Sequence, residues 1–323
     1  MRLMMMGTGP FAVPSFNSLL DSDHEVVGLV TRPVAPPRGR RKTPLNPMRD
    51  VAEQRKVPLL ALEDVNNDVV RQQLVDLRPE LLVVCDYGQI LKKQTLQIAA
   101  LGGINLHASL LPRYRGAAPI NWAIYHGEKT TGVTVIHMSP LMDAGPCLVQ
   151  QETEIGDDEA ADALEPRLAQ LGAGAVHAAI DMLADWDGEA ELGFVQDPQL
   201  VTKAPRLRKS NGEIDWSRSA HQIRNQVRAM KPWPGSFTFW RRNQGNPVRV
   251  ILDQVSAVDE STEDAHFGEV VSLDQGHLWI ASGEGLLSVE QIQPAGKRVM
   301  KIDEFLRGHP VKTGDQFGGN ASV

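Results

Sequence analysis

The chain has 323 residues, 42% of them hydrophobic and 5% aromatic, with a formal net charge of −7 at neutral pH. That length favours two domains over one, and two cysteines alone, Cys85 and Cys147, exclude a disulfide framework. No apolar run approaches a membrane span, and Gly7, Gly9 and Pro10 break the start MRLMMMGTGPF short of a signal-peptide core, so the chain reads as cytoplasmic.

Short apolar runs alternate with helical patterns through the first half. LMMM (3–6), EVVGLV (25–30), LLVV (81–84), GINLH (103–107) and VTVIHM (133–138) predict strands, and VPSFNSLL, NPMRDVAEQR and VVRQQLVDL predict helices between them. The alternation implies an α/β unit with a mostly parallel sheet. A helix over about 159–183 closes it. Pro198 and Pro205 punctuate a polar stretch that reads as a linker over 192–204. Beyond it, SAHQIRNQVRAM predicts a helix, KPWPGS breaks it, and the runs FTFW, VRVILDQV, GEVVSL, HLWIAS and LLSVEQIQ predict a small β-barrel over 205–312. Residues 313–323 show no periodicity and read as a disordered tail.

Charge is unevenly divided along this plan. Residues 1–191 carry 17 Lys+Arg against 25 Asp+Glu, whereas 199–249 holds 11 basic residues against Glu213 and Asp215 alone. An acidic mean thus hides a positive field in the second half that suits a polyanion.

Three motifs bear on chemistry. Gly7-Thr8-Gly9-Pro10-Phe11-Ala12 matches the G-x-G-x-x-A turn of dinucleotide-binding folds, but the second strand ends at Thr31-Arg32 with no acid to hold a ribose. A 2′-phosphate on Arg32 is the most that a nicotinamide reading can draw from it, and a purely structural turn fits as well. Asn105 and His107 lie two apart on a strand and project to one face at its carboxyl end, where open α/β sheets bind ligands. Asp143, in the irregular loop after VTVIHM, is the carboxylate in reach; its alternative role is to cap its own turn before Gly145-Pro146. No histidine or cysteine spacing favours a metal, and no P-loop or nucleophile elbow is present. An Asn/His/Asp trio without metal suits acyl transfer through a tetrahedral oxyanion. Finally, RPVAPPRGRRKTPLNP (32–47) sets Arg38, Arg40, Arg41 and Lys42 on a loop without an acid, either solvated or contacting phosphates.

MGTGPFAVPSF, INLHASLLPRYRGAAPIN, TGVTVIHMSPLMDAGP, KAPRLRKSNGEIDW, PWPG and QPAGKRVMKIDEFLRG together resemble the methionyl-tRNA formyltransferases, within the folate-dependent formyltransferase family. The resemblance runs from the first strand to about Lys312. It implies a Rossmann-like catalytic domain over 1–191 that takes 10-formyltetrahydrofolate as co-substrate and an OB-like barrel over 205–312 that holds initiator methionyl-tRNA. No metal is expected, and a monomer is. Asn105, His107 and Asp143 match the catalytic positions. Ser109, Leu110, Leu111 and Pro112, with Asp86, Tyr87, Gly88 and Ile90, match the folate-binding segments. Arg38, Arg40, Arg41 and Lys42, with Lys203, Arg206, Arg208 and Lys209, are expected at the tRNA. Two residues depart from the pattern: Val34 stands where the family commonly has an acid, and Asp86 where it has alanine. NWAI and MDAG are also similar to the sugar-nucleotide N-formyltransferases, which makes an amino-sugar acceptor the alternative. A small-substrate oxidoreductase and a catalytically idle tRNA-binding protein are the readings from other classes.

Overall fold

The computed structural model describes residues 1–34, 45–186, 188, 190–241, 246–260, 265–274 and 276–318. Two compact units emerge: Met1–Pro119 with Thr130–Glu154 and Ala163–Pro205, and Ile120–Lys129 with Ile155–Asp162 and Arg206–Val323.

The first unit is built on a seven-stranded sheet. In chain order its elements are β1 (Arg2–Met6), α1 (Val13–Leu20), β2 (Glu25–Thr31), α2 (Pro47–Arg55), β3 (Leu59–Ala61), α3 (Asp68–Asp76), β4 (Leu81–Cys85), α4 (Lys93–Leu96), β5 (Gly103–His107) and β6 (Arg115–Gly116). After α5 (Pro119–Tyr125) come β7 (Thr130–His137), β8 (Cys147–Glu154), α6 (Ala161–Ala184) and β9 (Lys203–Ala204). The strand order is β3-β2-β1-β4-β5-β7-β8. β1 to β5 run parallel, and β7 and β8 return antiparallel. Both faces of β1 and β4 are covered, so Leu3 to Met6 and Leu81 to Val83 are wholly buried; that is why these strands read as unbroken apolar runs. β8 escapes the sequence reading because it is the sheet edge: CLVQQETE buries Cys147 and Leu148 and then alternates, with polar side chains facing water. The strand order reverses between β1 and β4. The carboxyl ends of strands at such a reversal are the usual ligand site of a Rossmann-like sheet.

In the second unit, α7 (Ala220–Ala229) starts at a capping box in which Ser219 and Gln222 satisfy each other's backbone. Its buried stripe of Ala220, Ile223 and Val227 packs on the barrel core, each branched side chain contributing about 1.5–3 kcal/mol. The barrel strands are β10 (Ser236–Arg241), β11 (Val248–Val258), β12 (Val270–Asp274), β13 (His277–Ala281), β14 (Leu286–Pro294), β15 (Met300–Lys301) and β16 (Gln316–Gly318), with α8 (Ile302–Gly308) before the last. They pair in the order β12-β13-β14-β11-β10-β16, with β15 added on β14.

Residues 313–318 differ from the expected disorder. Gln316 to Gly318 pair with Phe239 to Arg241, Gln316 bridges Glu269, and Phe317 N donates to Gly268 O at 2.7 Å. This short segment joins the two edges of the curled sheet. Phe317 is 1% exposed, and the Asp315 carboxylate accepts from the buried Trp240 Nε1 at 3.0 Å. Burial of one aromatic ring and one indole partner is enough to order a segment with no periodicity of its own.

The stretches Ile120–Lys129 and Ile155–Asp162 belong to this second unit for a specific reason. Arg224 pairs with Asp158 at 2.6 Å, Arg228 Nη1 donates to Gly156 O at 3.2 Å and Glu159 O at 3.0 Å, and Arg218 donates to the Tyr125 hydroxyl at 2.6 Å. Lys231 pairs with Asp253 at 3.1 Å. Part of the basic excess of 199–249 is therefore committed to internal partners.

Candidate active site

β5 carries Asn105 and His107 to the carboxyl edge of the first unit's sheet. In register, Cys85 at the end of β4 pairs with Leu106, so Asp86 and His107 leave adjacent strands together. His107 is 6% exposed. Its Nε2 lies 2.9 Å from Tyr114 O. A carbonyl only accepts, so Nε2 carries the hydrogen and Nδ1 is the ring nitrogen left for chemistry. Nδ1 faces Asp143 Oδ2 at 3.9 Å, close enough for charge attraction and too long for a hydrogen bond. The ring is thus oriented by Tyr114 O, with Asp143 within charge-pairing range of its other nitrogen. Asn105 is half-buried, and its amide takes no partner among the described residues.

The turn after β5 is fixed from below. Thr134 Oγ1 donates to Ser109 O at 2.6 Å and accepts from Leu111 N at 3.0 Å. Gln150 Nε2 donates to Leu111 O at 2.6 Å, and Ser109 Oγ donates to Arg113 O at 2.7 Å. Ser109 and Leu111 consequently face the interior, while Leu110 and Pro112 are less enclosed. The turn then presents Tyr114 O to His107 and Gly116 N to Asp143 Oδ2, the latter at 2.9 Å.

Asp143 stands at φ 51°, in the left-handed region that non-glycine residues seldom adopt. Its loop folds tightly on β7. A Cβ on Gly145 would lie 1.8 Å from His137 O, so only glycine permits the approach. Gln196, which lies in the stretch read as a linker, donates to Asp143 O at 2.9 Å and Gly145 O at 2.7 Å. Nothing in its sequence surroundings marks it; only its 5% exposure shows that it is an inward-facing polar group.

Where β1 and β4 end, Asp86 O accepts from Thr8 N at 3.1 Å. The Asp86 carboxylate lies over Gly9, where an added Cβ would meet Oδ2 at 1.7 Å. The second glycine of the G-x-G-x-x-A turn therefore makes room for Asp86. The residue as a whole is exposed, but the carboxyl itself packs closely against Gly9. Burial, with Glu165 adding negative charge, pushes its pKa from 3.8 to about 6. Tyr87 is buried and its hydroxyl is pushed up by desolvation; Gly88 and Ile90 are exposed. Lys203, Arg206, Arg208 and Lys209 are also exposed. Arg38, Arg40, Arg41 and Lys42 lie outside the described residues. No group of three or more His, Cys, Asp or Glu among the described residues is placed to hold a metal. No described helix is long and apolar enough to cross a membrane.

Family models give these features a name. Residues 1–180 match the formyl transferase model and 206–310 match the formyl transferase C-terminal domain. A methionyl-tRNA formyltransferase of Rhodopirellula baltica is 43% identical over 98% of this chain and 96% of its own length. The chain belongs to the methionyl-tRNA formyltransferase family. The enzyme of that name from Alkaliphilus oremlandii is 37% identical over 98% of this chain and 100% of its own. Solved structures extend the likeness at the level of fold. An N-formyltransferase from Helicobacter canadensis, in complex with folinic acid and dTDP-3-aminofucose, has a TM-score of 0.63 at 16% identity, covering 89% of this chain and 98% of that one. HypX from Aquifex aeolicus with tetrahydrofolic acid has a TM-score of 0.59 at 16% identity, covering 99% of this chain and 50% of that one. Asp86 follows β4 where Asn105 and His107 end the adjacent β5, and Asp143 faces His107.

Proposed function

We propose that the chain transfers the formyl group of 10-formyltetrahydrofolate to the α-amino group of initiator methionyl-tRNA, giving N-formylmethionyl-tRNA for translation initiation in the cytoplasm. The observation that carries this is the 43% identity to a methionyl-tRNA formyltransferase over nearly the full length of both chains. The sugar-modifying relative shares the fold at 16% identity, which does not favour an amino-sugar acceptor here.

The chemistry follows from the residues. A free α-amino group has a pKa of about 7.7–8.0, so a useful fraction is neutral at physiological pH. Its nitrogen attacks the formyl carbon, a C–N bond forms, and the carbonyl oxygen becomes an oxyanion. The Asn105 amide, unpartnered among the described residues, donates to that oxygen. Protonated His107 donates from Nδ1, since Nε2 is held by Tyr114 O. Asp143 supports the imidazolium across 3.9 Å and receives the proton leaving the amine. Collapse of the intermediate breaks the bond from carbon to N10 of the folate, and N10 takes up the proton that Asp143 received, returning the carboxylate to its starting state. On this reading Ser109 to Pro112 and Asp86 to Ile90 frame the folate, Ser109 and Leu111 through backbone shape because their side chains face inward. Arg38, Arg40, Arg41, Lys42, Lys203, Arg206, Arg208 and Lys209 meet tRNA phosphates, with 1–191 as the catalytic part, 205–312 as the tRNA-holding part and a monomer as the working form. The test is to incubate the enzyme with 10-formyltetrahydrofolate and charged methionyl-tRNA and follow formyl on the amino acid. Absence of transfer sinks the proposal.

A further inference from the structure

Residues 194–204 have the composition of a linker, but their hydrogen bonds belong to the reacting loops. A primary amide offers two donors and two lone pairs, and Gln196, 5% exposed, uses them all. Nε2 donates to Asp143 O at 2.9 Å and Gly145 O at 2.7 Å, while Oε1 accepts from Arg115 Nε at 3.0 Å and Nη2 at 2.6 Å. The guanidinium fork fixes the amide's plane, and the plane fixes which way both N–H groups point.

The same segment grips the turn after β5. Tyr114 N donates to Thr202 Oγ1 at 2.8 Å, Arg115 N to Thr202 O at 2.9 Å and Ala118 N to Ala204 O at 3.2 Å. That turn supplies Tyr114 O to His107 and Gly116 N to Asp143. One stretch of chain thereby holds both His107 and Asp143, each through a backbone group one step removed. Asp143 has particular need of it: φ 51° is an unfavourable backbone setting that persists only where the surroundings over-determine it.

We propose that Gln196, aligned by Arg115, is a positioning residue for formyl transfer, holding the Asp143 turn so that its carboxylate faces Nδ1 of His107. This rests on the reading above that His107 and Asp143 carry the reaction. A brace that served stability alone would lower the melting temperature and act independently of Asp143. A positioning residue acts through Asp143 and has little left to do once that carboxylate is gone.

The decisive variant is Gln196→Glu. It keeps the side chain's length and its acceptor for Arg115 but sets a carboxylate against two carbonyl oxygens, releasing the turn. Wild-type turnover of methionyl-tRNA is measured first; its absence refutes the functional reading, and the comparison is then made with whichever amine the wild type formylates. We expect kcat to fall about ten- to a hundred-fold, as for a small displacement of a reacting group, with KM for folate and acceptor within about threefold. In an Asp143→Asn background the same substitution should change kcat by less than about threefold. Unchanged kcat in the single variant, or losses that multiply in the double variant, would overturn the proposal. If Gln196→Glu does not fold, Arg115→Lys, which keeps the charge and loses the fork, is put through the same pair of comparisons, with the same direction expected and the same outcomes overturning it.

Discussion

Residues 105–116 and 194–204 are bonded to one another along a short parallel seam, Arg115 against Lys203 and Gly116 against Ala204, and they contribute in opposite ways. On the proposed mechanism the first stretch works through side chains: an amide and an imidazole set two apart on a strand paired on both sides. The second works through carbonyls, the Thr202 hydroxyl and one amide, which bond to backbone and to Arg115 and not to Asn105 or His107. Reactive groups must be specific residue types, whereas supporting groups need only a donor or acceptor in the right place. A strand end fixes direction, but a loop that holds a carboxylate at φ 51° has to be held in turn. The segment 313–318 repeats the pattern in the second unit, where a stretch with no periodicity joins the barrel edges.

The largest effect is expected where such a plain segment is removed. Deleting residues 313–323 takes away the buried Phe317 ring and leaves Trp240 Nε1 without Asp315. The loss should be about 4 kcal/mol or more, a fall in melting temperature of roughly 10 °C or more by thermal unfolding. A truncated protein as stable as the full chain would show that the seam contributes nothing. Next come the reacting side chains. His107→Ala or Asn105→Ala should lower kcat about a hundred- to a thousand-fold, the usual loss for one oxyanion donor, with tRNA affinity little changed. Near-normal turnover in either would remove that residue from the mechanism.

These expected effects also mark how far the sequence could be read. The five buried strands of the first unit and the helix α7 are legible because each has a period, and Asn105, His107 and Asp143 stand out because each residue type suits the task proposed for it. Gln196 does not. A glutamine among polar residues and prolines carries no sign of being buried, and its partners, the carbonyls of Asp143 and Gly145, are 51 to 53 positions away. β8 is hidden for a related reason, since an edge strand faces water on one side. The basic stretch 199–249 is legible as charge but misleading as surface, because Arg218, Arg224, Arg228 and Lys231 are tied to internal oxygens.

That difference predicts a smaller, graded effect. Replacing Lys203, Arg206, Arg208 and Lys209 by alanine should flatten the dependence of log K for tRNA on log salt by roughly 0.7–0.9 for each phosphate that is no longer neutralised. The same fourfold change at Arg38, Arg40, Arg41 and Lys42 should flatten it too, and also slow single-turnover transfer. Filter binding at several salt concentrations measures the slopes, and slopes equal to wild type would leave either cluster as solvated surface.

The smallest effect concerns Asp86. Its folded pKa of about 6 lies above its ordinary value of 3.8, so the folded state binds the proton more tightly than the unfolded chain does. The side chain's favourable contribution is present below pH 3.8 and is lost as pH rises through about 6. Solvent contact reduces the size of this effect. Asp86→Asn, which keeps a residue type that tolerates the left-handed φ of 47° here, should raise the melting temperature by about 1–3 °C at a pH of about 7.5 and leave it unchanged at acid pH. A variant with the same pH dependence as wild type would place the titration elsewhere.

The most direct test of the central claim is a side-by-side single-turnover experiment with 10-formyltetrahydrofolate, offering methionyl-tRNA or an amino-sugar nucleotide to wild type and to Asp143→Asn. Rapid formylation of methionyl-tRNA alone, lost about a hundred-fold or more in the variant, is the expected result. Formylation of the sugar in preference to the tRNA, or a variant as fast as wild type, would contradict it.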